Sequence, residues 1–129
     1  MRMPLTGSCH CGKVRLTVPY APGGNPERPF VASCNCSICR KLGWLVAYYP
    51  DDGSVRVEGE TATYIQGDRM IRVHHCPVCA CVTHWDSNAE SYGRIGVGAR
   101  LLDGFAIDGP RYLLDGEELE VRYLDNASS

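Results

Sequence analysis

Seven of the eight cysteines of this chain fall into three short clusters. They are Cys9-His10-Cys11, Cys34-Asn35-Cys36-Ser37-Ile38-Cys39 and Cys76-Pro77-Val78-Cys79, with Cys81 standing apart. Short spacings of this kind let sulfurs converge on one tetrahedral ion with little backbone strain. The outer two clusters are far apart in sequence, and their four sulfurs, from Cys9, Cys11, Cys76 and Cys79, complete one closed zinc site. That site would pin the start of the fold to its middle. The middle cluster supplies three sulfurs, so a second zinc there takes its fourth ligand from elsewhere. A closed site is structural, whereas three protein ligands with an exchangeable fourth can do chemistry.

The setting favours metal over disulfides. No apolar stretch of the signal-peptide type precedes Cys9, and a cytoplasmic location, where thiols stay reduced, is expected. The 129 residues suit one domain spanning 1–129. Residues 126–129 read as a loose tail. A formal net charge of −2 without a basic block argues against nucleic-acid binding. No apolar run approaches the roughly 20 residues of a membrane span.

Between the clusters the chain reads as short strands cut by Gly, Pro and Asp. Lys13 to Val18, Phe30 to Ser33, Trp44 to Tyr49 and Ser54 to Glu58 carry strand patterns. So do Thr61 to Gln66, Met70 to His75, Cys81 to Trp85 and Tyr92 to Leu102. Gly67-Asp68 is a turn, and Glu118 to Leu124 is a weak last strand. Helical turns are expected at most near Cys39 and Leu101. The fold class is therefore mainly β.

An open zinc–thiolate site at Cys34, Cys36 and Cys39 suits thiol chemistry. Zinc holds a bound thiol as its nucleophilic thiolate, which can add to an aldehyde carbonyl. Water, a substrate thiol or Cys81 are the candidates for the fourth ligand; Cys81 or a histidine would close the site. Arg40 and Lys41 follow Cys39 directly and are candidates for holding substrate carboxylates. His84, between Thr83 and Trp85, is a candidate polar group of the pocket. Trp44, Tyr48, Tyr49 and Trp85 read as core. No Ser-His-Asp order or phosphate-binding glycine loop stands out.

The three motifs together, from Gly7-Ser8-Cys9-His10-Cys11-Gly12 through Cys34 to Lys41 and Cys76 to Cys79, resemble the glutathione-dependent formaldehyde-activating (GFA) family, also called the CENP-V/GFA domain. Val97-Gly98-Ala99-Arg100-Leu101-Leu102-Asp103 is similar to that family's C-terminal part. The resemblance implies an Mss4-like fold of packed antiparallel β-sheets stabilised by zinc. It implies a structural zinc at Cys9, Cys11, Cys76 and Cys79 and a labile second zinc at Cys34, Cys36 and Cys39. The implied activity is that of a carbon–sulfur lyase acting on S-hydroxymethylglutathione, the adduct of glutathione and formaldehyde. Two positions depart from the family pattern: Ala80-Cys81 stand where Gly and a hydroxyl residue are common, and Leu42-Gly43 follow Arg40-Lys41 where a small hydroxyl residue is common. The competing readings are a non-catalytic zinc-stabilised binding module and a methionine sulfoxide reductase-like enzyme, the latter needing Cys81 as its redox cysteine.

Overall fold

Alternating apolar and polar residues lay down strands, and the glycines, prolines and aspartates between them turn the chain. The computed structural model describes residues 3–67, 69–88 and 93–127. The strand start at Tyr92, the Asp68 half of the expected turn and residues 128–129 of the expected tail lie outside the described residues. In chain order the elements are β1 (Leu5–Ser8), β2 (Arg15–Val18), β3 (Val31–Cys34), α1 (Ser37–Leu42), β4 (Leu45–Pro50), β5 (Arg56–Glu58), β6 (Ala62–Ile65), β7 (Ile71–His75), β8 (Val82–Ser87), β9 (Arg94–Gly98), β10 (Phe105–Asp108), β11 (Arg111–Leu114), β12 (Glu117–Glu118) and β13 (Val121–Leu124). Single 3₁₀ turns occupy Pro22–Gly24 and Ala99–Leu101. The fold is mainly β, with helical turns beside Cys39 and at Leu101 as expected and a further one at Pro22–Gly24, where the sequence reads as loop and Pro22 starts the turn.

Seven strands form one sheet in the order β13-β3-β4-β9-β8-β7-β6. All its pairs are antiparallel except β13 with β3, which is parallel. A second sheet runs β1-β2-β5, and a third, small one runs β10-β11-β12. Neither β1 nor the small sheet is apparent in the sequence. Three of the four β10 residues are exposed, so no alternation marks the strand.

Strand alternation gives the large sheet two different faces. On β4, Leu45, Ala47 and Tyr49 point into the main core with Leu16, Val31 and Val97. Val46 and Tyr48, between them, point the other way into a cavity. The pairing carries this division across the sheet, because Ala47 lies opposite Val97 and Tyr48 opposite Gly96. Gly96 is required there: a Cβ on it would lie 2.0 Å from the Trp85 Nε1. Of the four aromatics expected in the core, Tyr49 is there, donating its hydroxyl to the Tyr20 carbonyl at 2.9 Å. Trp85 is buried too, and its ring walls the cavity together with the half-buried Tyr48, while Trp44 borders a neighbouring depression. No described helix is long and apolar enough to cross a membrane.

Candidate functional site

The four-sulfur cluster is assembled from two loops. One leaves β1 and carries Cys9 and Cys11; the other leaves β7 and carries Cys76 and Cys79. Their sulfurs lie within 4.8 Å of one another, with Cys11 Sγ 3.6 Å from both Cys9 Sγ and Cys76 Sγ. A tetrahedron with sulfur about 2.3 Å from its centre has an edge of about 3.8 Å, so this spacing fits one zinc ion. Backbone amides are aimed at the sulfurs, as a thiolate set requires. Val14 N–H donates to Cys9 at 3.3 Å, and the Val78 and Cys79 amides donate to Cys76 at 3.4 Å. The amides of Cys11 and Cys81 pull the Cys79 thiol down to about 6. For Cys9 burial acts upward, but the Val14 amide and the neighbouring thiols outweigh it and the net shift is downward.

Cys81 belongs beside this cluster. It packs against Cys9, Val14 and Cys76, and its carbonyl accepts from the Cys76 amide at 3.0 Å. It is not among the sulfurs gathered at the middle cluster, which are three: Cys34, Cys36 and Cys39, again within 4.8 Å of one another. The closure of that site by Cys81 and the use of Cys81 as a redox partner in the cavity both lack support from this placement.

The three-sulfur cluster sits where β3 ends and α1 begins. Cys36 is the residue that caps α1, and the first amides of a helix have no partners within it. None of them donates to the Cys36 side chain as a cap; the Cys36 amide itself donates to Cys34 Sγ at 3.4 Å. Burial raises the Cys36 thiol, yet the nearby Cys39 and Ile38 amides and the Cys39 and Cys34 thiols bring it below its ordinary value. Burial, followed by the neighbouring Cys36 and Cys34 sulfurs, pushes Cys39 far up. Gly43 ends the helix at φ 62°, with its amide on the Cys39 carbonyl.

All three sulfurs border a cavity of about 240 Å³. Its wall includes Val46, Tyr48 and Trp85 from the sheet face opposite the core, and the guanidiniums of Arg28 and Arg94. Both guanidiniums lie over the Tyr48 ring, at 5.1 and 5.0 Å from its centre. Trp85 meets the same ring edge-on at 6.2 Å. Arg28 is held there by a buried residue: Asn25 donates its side-chain amide to the Tyr48 carbonyl, while its Oδ1 accepts from the Glu27 and Arg28 amides at 2.9 and 3.0 Å. Burial raises the Tyr48 hydroxyl, with the two arginines opposing the shift.

The structure does not bring every expected site residue to this cavity. Arg40 borders a separate depression of about 310 Å³ that shares Cys34 and Cys39 and includes Arg100. Lys41 faces a groove with Ile38, Leu42 and Tyr64 that no cysteine lines. His84 is buried on the core side of β8, because its neighbour Trp85 takes the cavity side. Its ring stacks on His74 at 4.1 Å and its Nδ1 pairs with the Thr83 hydroxyl at 2.9 Å. Arg28, Arg94 and Tyr48 are not legible as site residues, since each comes from a different part of the chain: β4–β9 pairing brings Arg94 to Tyr48, and the turn at Asn25 brings Arg28. Within the stretch expected as a loose tail, Asn126 is bonded to the cluster loop at Asn35 and Cys34.

A mainly β fold carrying cysteine clusters of four and three that suit metal ions defines the class of protein. The chain belongs to the family described as glutathione-dependent formaldehyde-activating enzyme, which it matches over residues 4–110. Its fold is also similar to the crystal structure of a Rhodobacter sphaeroides protein solved in a structural-genomics programme. That similarity has a TM-score of 0.66 and 26% identity, and covers 91% of this chain and 99% of the other. No protein of curated function matches the sequence.

Proposed function

We propose that this protein is a zinc-dependent carbon–sulfur lyase that joins and separates a thiol and formaldehyde, with glutathione as the thiol. The observation that carries the reading is the cavity onto which Cys34, Cys36 and Cys39 all open beside two arginines. Cys9, Cys11, Cys76 and Cys79 would hold a structural zinc, and the other three a labile one. Zinc at the three-sulfur cluster would lower the pKa of a substrate thiol and keep it as thiolate. The chain's own residues do the rest. Arg28 and Arg94 receive a substrate carboxylate, for which a planar guanidinium is the natural partner. Their stacking on Tyr48 fixes both heads near the sulfurs. Trp85 and Val46 exclude water from that side. Arg40, across Cys34 and Cys39, lies within the second depression and suits the second carboxylate of glutathione. In the net reaction the C–S bond forms, the carbonyl π bond opens, and the thiol proton ends on the new hydroxyl; the reverse separates them.

The test is NMR exchange between formaldehyde and its glutathione adduct, with zinc-loaded protein. Wild type is expected to accelerate exchange above the uncatalysed rate, and Cys36→Ser to abolish the gain. A hydrogen bond to a charged group is worth roughly 1.5–3 kcal/mol, so Arg28→Ala is expected to weaken glutathione binding by about one to two decades. Adduct capture without faster exchange would replace the lyase with a binding module.

A further inference from the structure

The family match ends at residue 110, yet the chain beyond it returns to the three-sulfur cluster. β13 runs parallel to β3, and its last rung places Leu124 opposite Cys34. Past that rung the two strand ends are tied by Asn35. Its backbone amide donates to the Leu124 carbonyl at 3.1 Å and its side-chain amide to Asp125 Oδ1 at 3.0 Å. Its Oδ1 accepts from the Asn126 backbone amide at 2.6 Å. Asn35, the residue between two cysteines, thus spends both ends of its side chain on the C-terminal segment. The result is that Asn126 Nδ2 donates to Cys34 Sγ at 3.3 Å. Leu124 and Asn126 also wall the cavity onto which the three sulfurs open.

A thiolate accepts hydrogen bonds and donates none, so the NH₂ end of Asn126 is the end that suits it. We infer that Asn126 is a positioning residue for the Cys34 sulfur, which makes the segment from Val121 to Asn126 a working part of the three-sulfur site. The inference rests on reading that cluster as a metal centre. An N–H bond to sulfur does two things. It fixes the direction of the sulfur toward Cys36 and Cys39, and it offsets part of the negative charge that three thiolates would leave on a bound dication, which also holds the sulfur lone pairs down in energy. Loss of such an outer partner typically costs 10–100-fold in metal affinity. Asn126 is exposed, so water partly replaces it and about tenfold is expected.

The experiment is a cobalt(II) titration of the full chain, reading the sulfur-to-cobalt charge-transfer band of each site. Wild type, Asn126→Ala and Asn126→Asp are compared. Asn126→Ala is expected to weaken the second cobalt by about tenfold and move its band to lower energy, because the sulfur lone pairs are no longer held down by a donor. Asn126→Asp, which keeps the shape but presents an anion, is expected to lose more. The four-sulfur site, read in the same sample, should not change. Unchanged affinity and band in both variants would overturn the inference. So would an equal loss at both sites, which would make Asn126 a prop of the fold. A wild type that takes up a single cobalt would instead remove the metal reading of the cluster itself, and the two failures are told apart by that first titration.

Discussion

The two cysteine clusters use the same ligand chemistry and are built in opposite ways. The four-sulfur cluster joins loops 65 positions apart at the Cys11–Cys76 contact, with Cys9 and Cys76 fully buried. The three-sulfur cluster draws its sulfurs from residues 34–39, all three partly exposed, and opens onto a cavity whose wall includes Arg28 and Arg94. A clip across a long loop removes much freedom from the unfolded chain, and a clip within a few residues removes little. Metal at the first is therefore expected to be part of folding, and metal at the second to be separable from it.

The widest separation between the clusters is expected from one substitution in each. Cys76→Ser deletes a ligand whose sulfur collects two amides in a buried site. Apparent zinc-binding energies of about 10 kcal/mol or more in small zinc modules match the whole stability of a domain. Cys76→Ser is therefore expected to be insoluble or molten, while Cys36→Ser keeps a cooperative unfolding transition. Equal melting temperatures for wild type and Cys76→Ser would break the comparison. A graded chelator titration sharpens it: one equivalent of metal should leave with the far-UV spectrum unchanged, and the second only with unfolding. Joint release of both would mean that the clusters are not different in kind.

Legibility in the sequence divides along the same line. The spacings of Cys9-Cys11 and Cys76-Cys79 state their own purpose, because a paired sulfur is a local feature and two pairs make a tetrahedron. The triplet at Cys34 to Cys39 is equally visible. What surrounds it is not. Arg28 reaches the cavity because Asn25 binds the Tyr48 carbonyl, and Arg94 because β9 pairs with β4. Asn126 reaches Cys34 because β13 lies parallel to β3, a long-range choice that no short pattern encodes. The strand carrying His84 is evident in the sequence, but which of the neighbours His84 and Trp85 faces the cavity depends on the sheet's packing. The adjacency of Arg40 and Lys41 to Cys39 is a fact of sequence, and α1 sends the two side chains to different depressions.

A third test leaves both sets of sulfurs intact and acts on the core side of β7–β8. Burial, and then the facing His74, lower the His84 ring to about 4 from its ordinary 6.5, with Asp86 opposing and Arg72 assisting. His84 is thus neutral when folded and takes up a proton when unfolded below about 6.5. Its contribution is complete above that pH and is lost as pH falls toward 4, a window worth about 3 kcal/mol at 1.36 kcal/mol per unit. Asp86, which Arg72 and His74 hold below the usual carboxylate range against the effect of burial, loses its contribution only at lower pH. Denaturant unfolding of wild type and His84→Asn at equal metal loading should show the two stabilities converging as pH drops from 7 to 4. A constant gap would mean that the folded ring takes up its proton as readily as the unfolded one, so that burial does not lower it.

The smallest effect tests how each cluster ends. Both loops close with a residue in the left-handed region: Gly43 at φ 62° after Cys39, and Ala80 at φ 65° after Cys79. Left-handed backbone costs a residue with a Cβ about 1–2 kcal/mol, so the four-sulfur loop carries a strain that the three-sulfur loop avoids. The Ala80 amide is fixed on the Cys76 carbonyl at 2.9 Å, which keeps the strained conformation in place. Ala80→Gly relieves it and in return frees the unfolded chain, at a cost of roughly 0.5–1 kcal/mol. The balance is a gain of about 0.5–1 kcal/mol, or about 2–4 °C in melting temperature. Gly43→Ala is the mirror experiment. A Cβ at Gly43 would meet nothing within 4 Å, so its cost of about 1 kcal/mol is conformational alone. The two substitutions are expected to move the melting temperature in opposite directions by similar amounts. If Ala80→Gly leaves it unchanged while Gly43→Ala lowers it, the Cys76–Cys81 turn is not under the strain that its backbone angle implies.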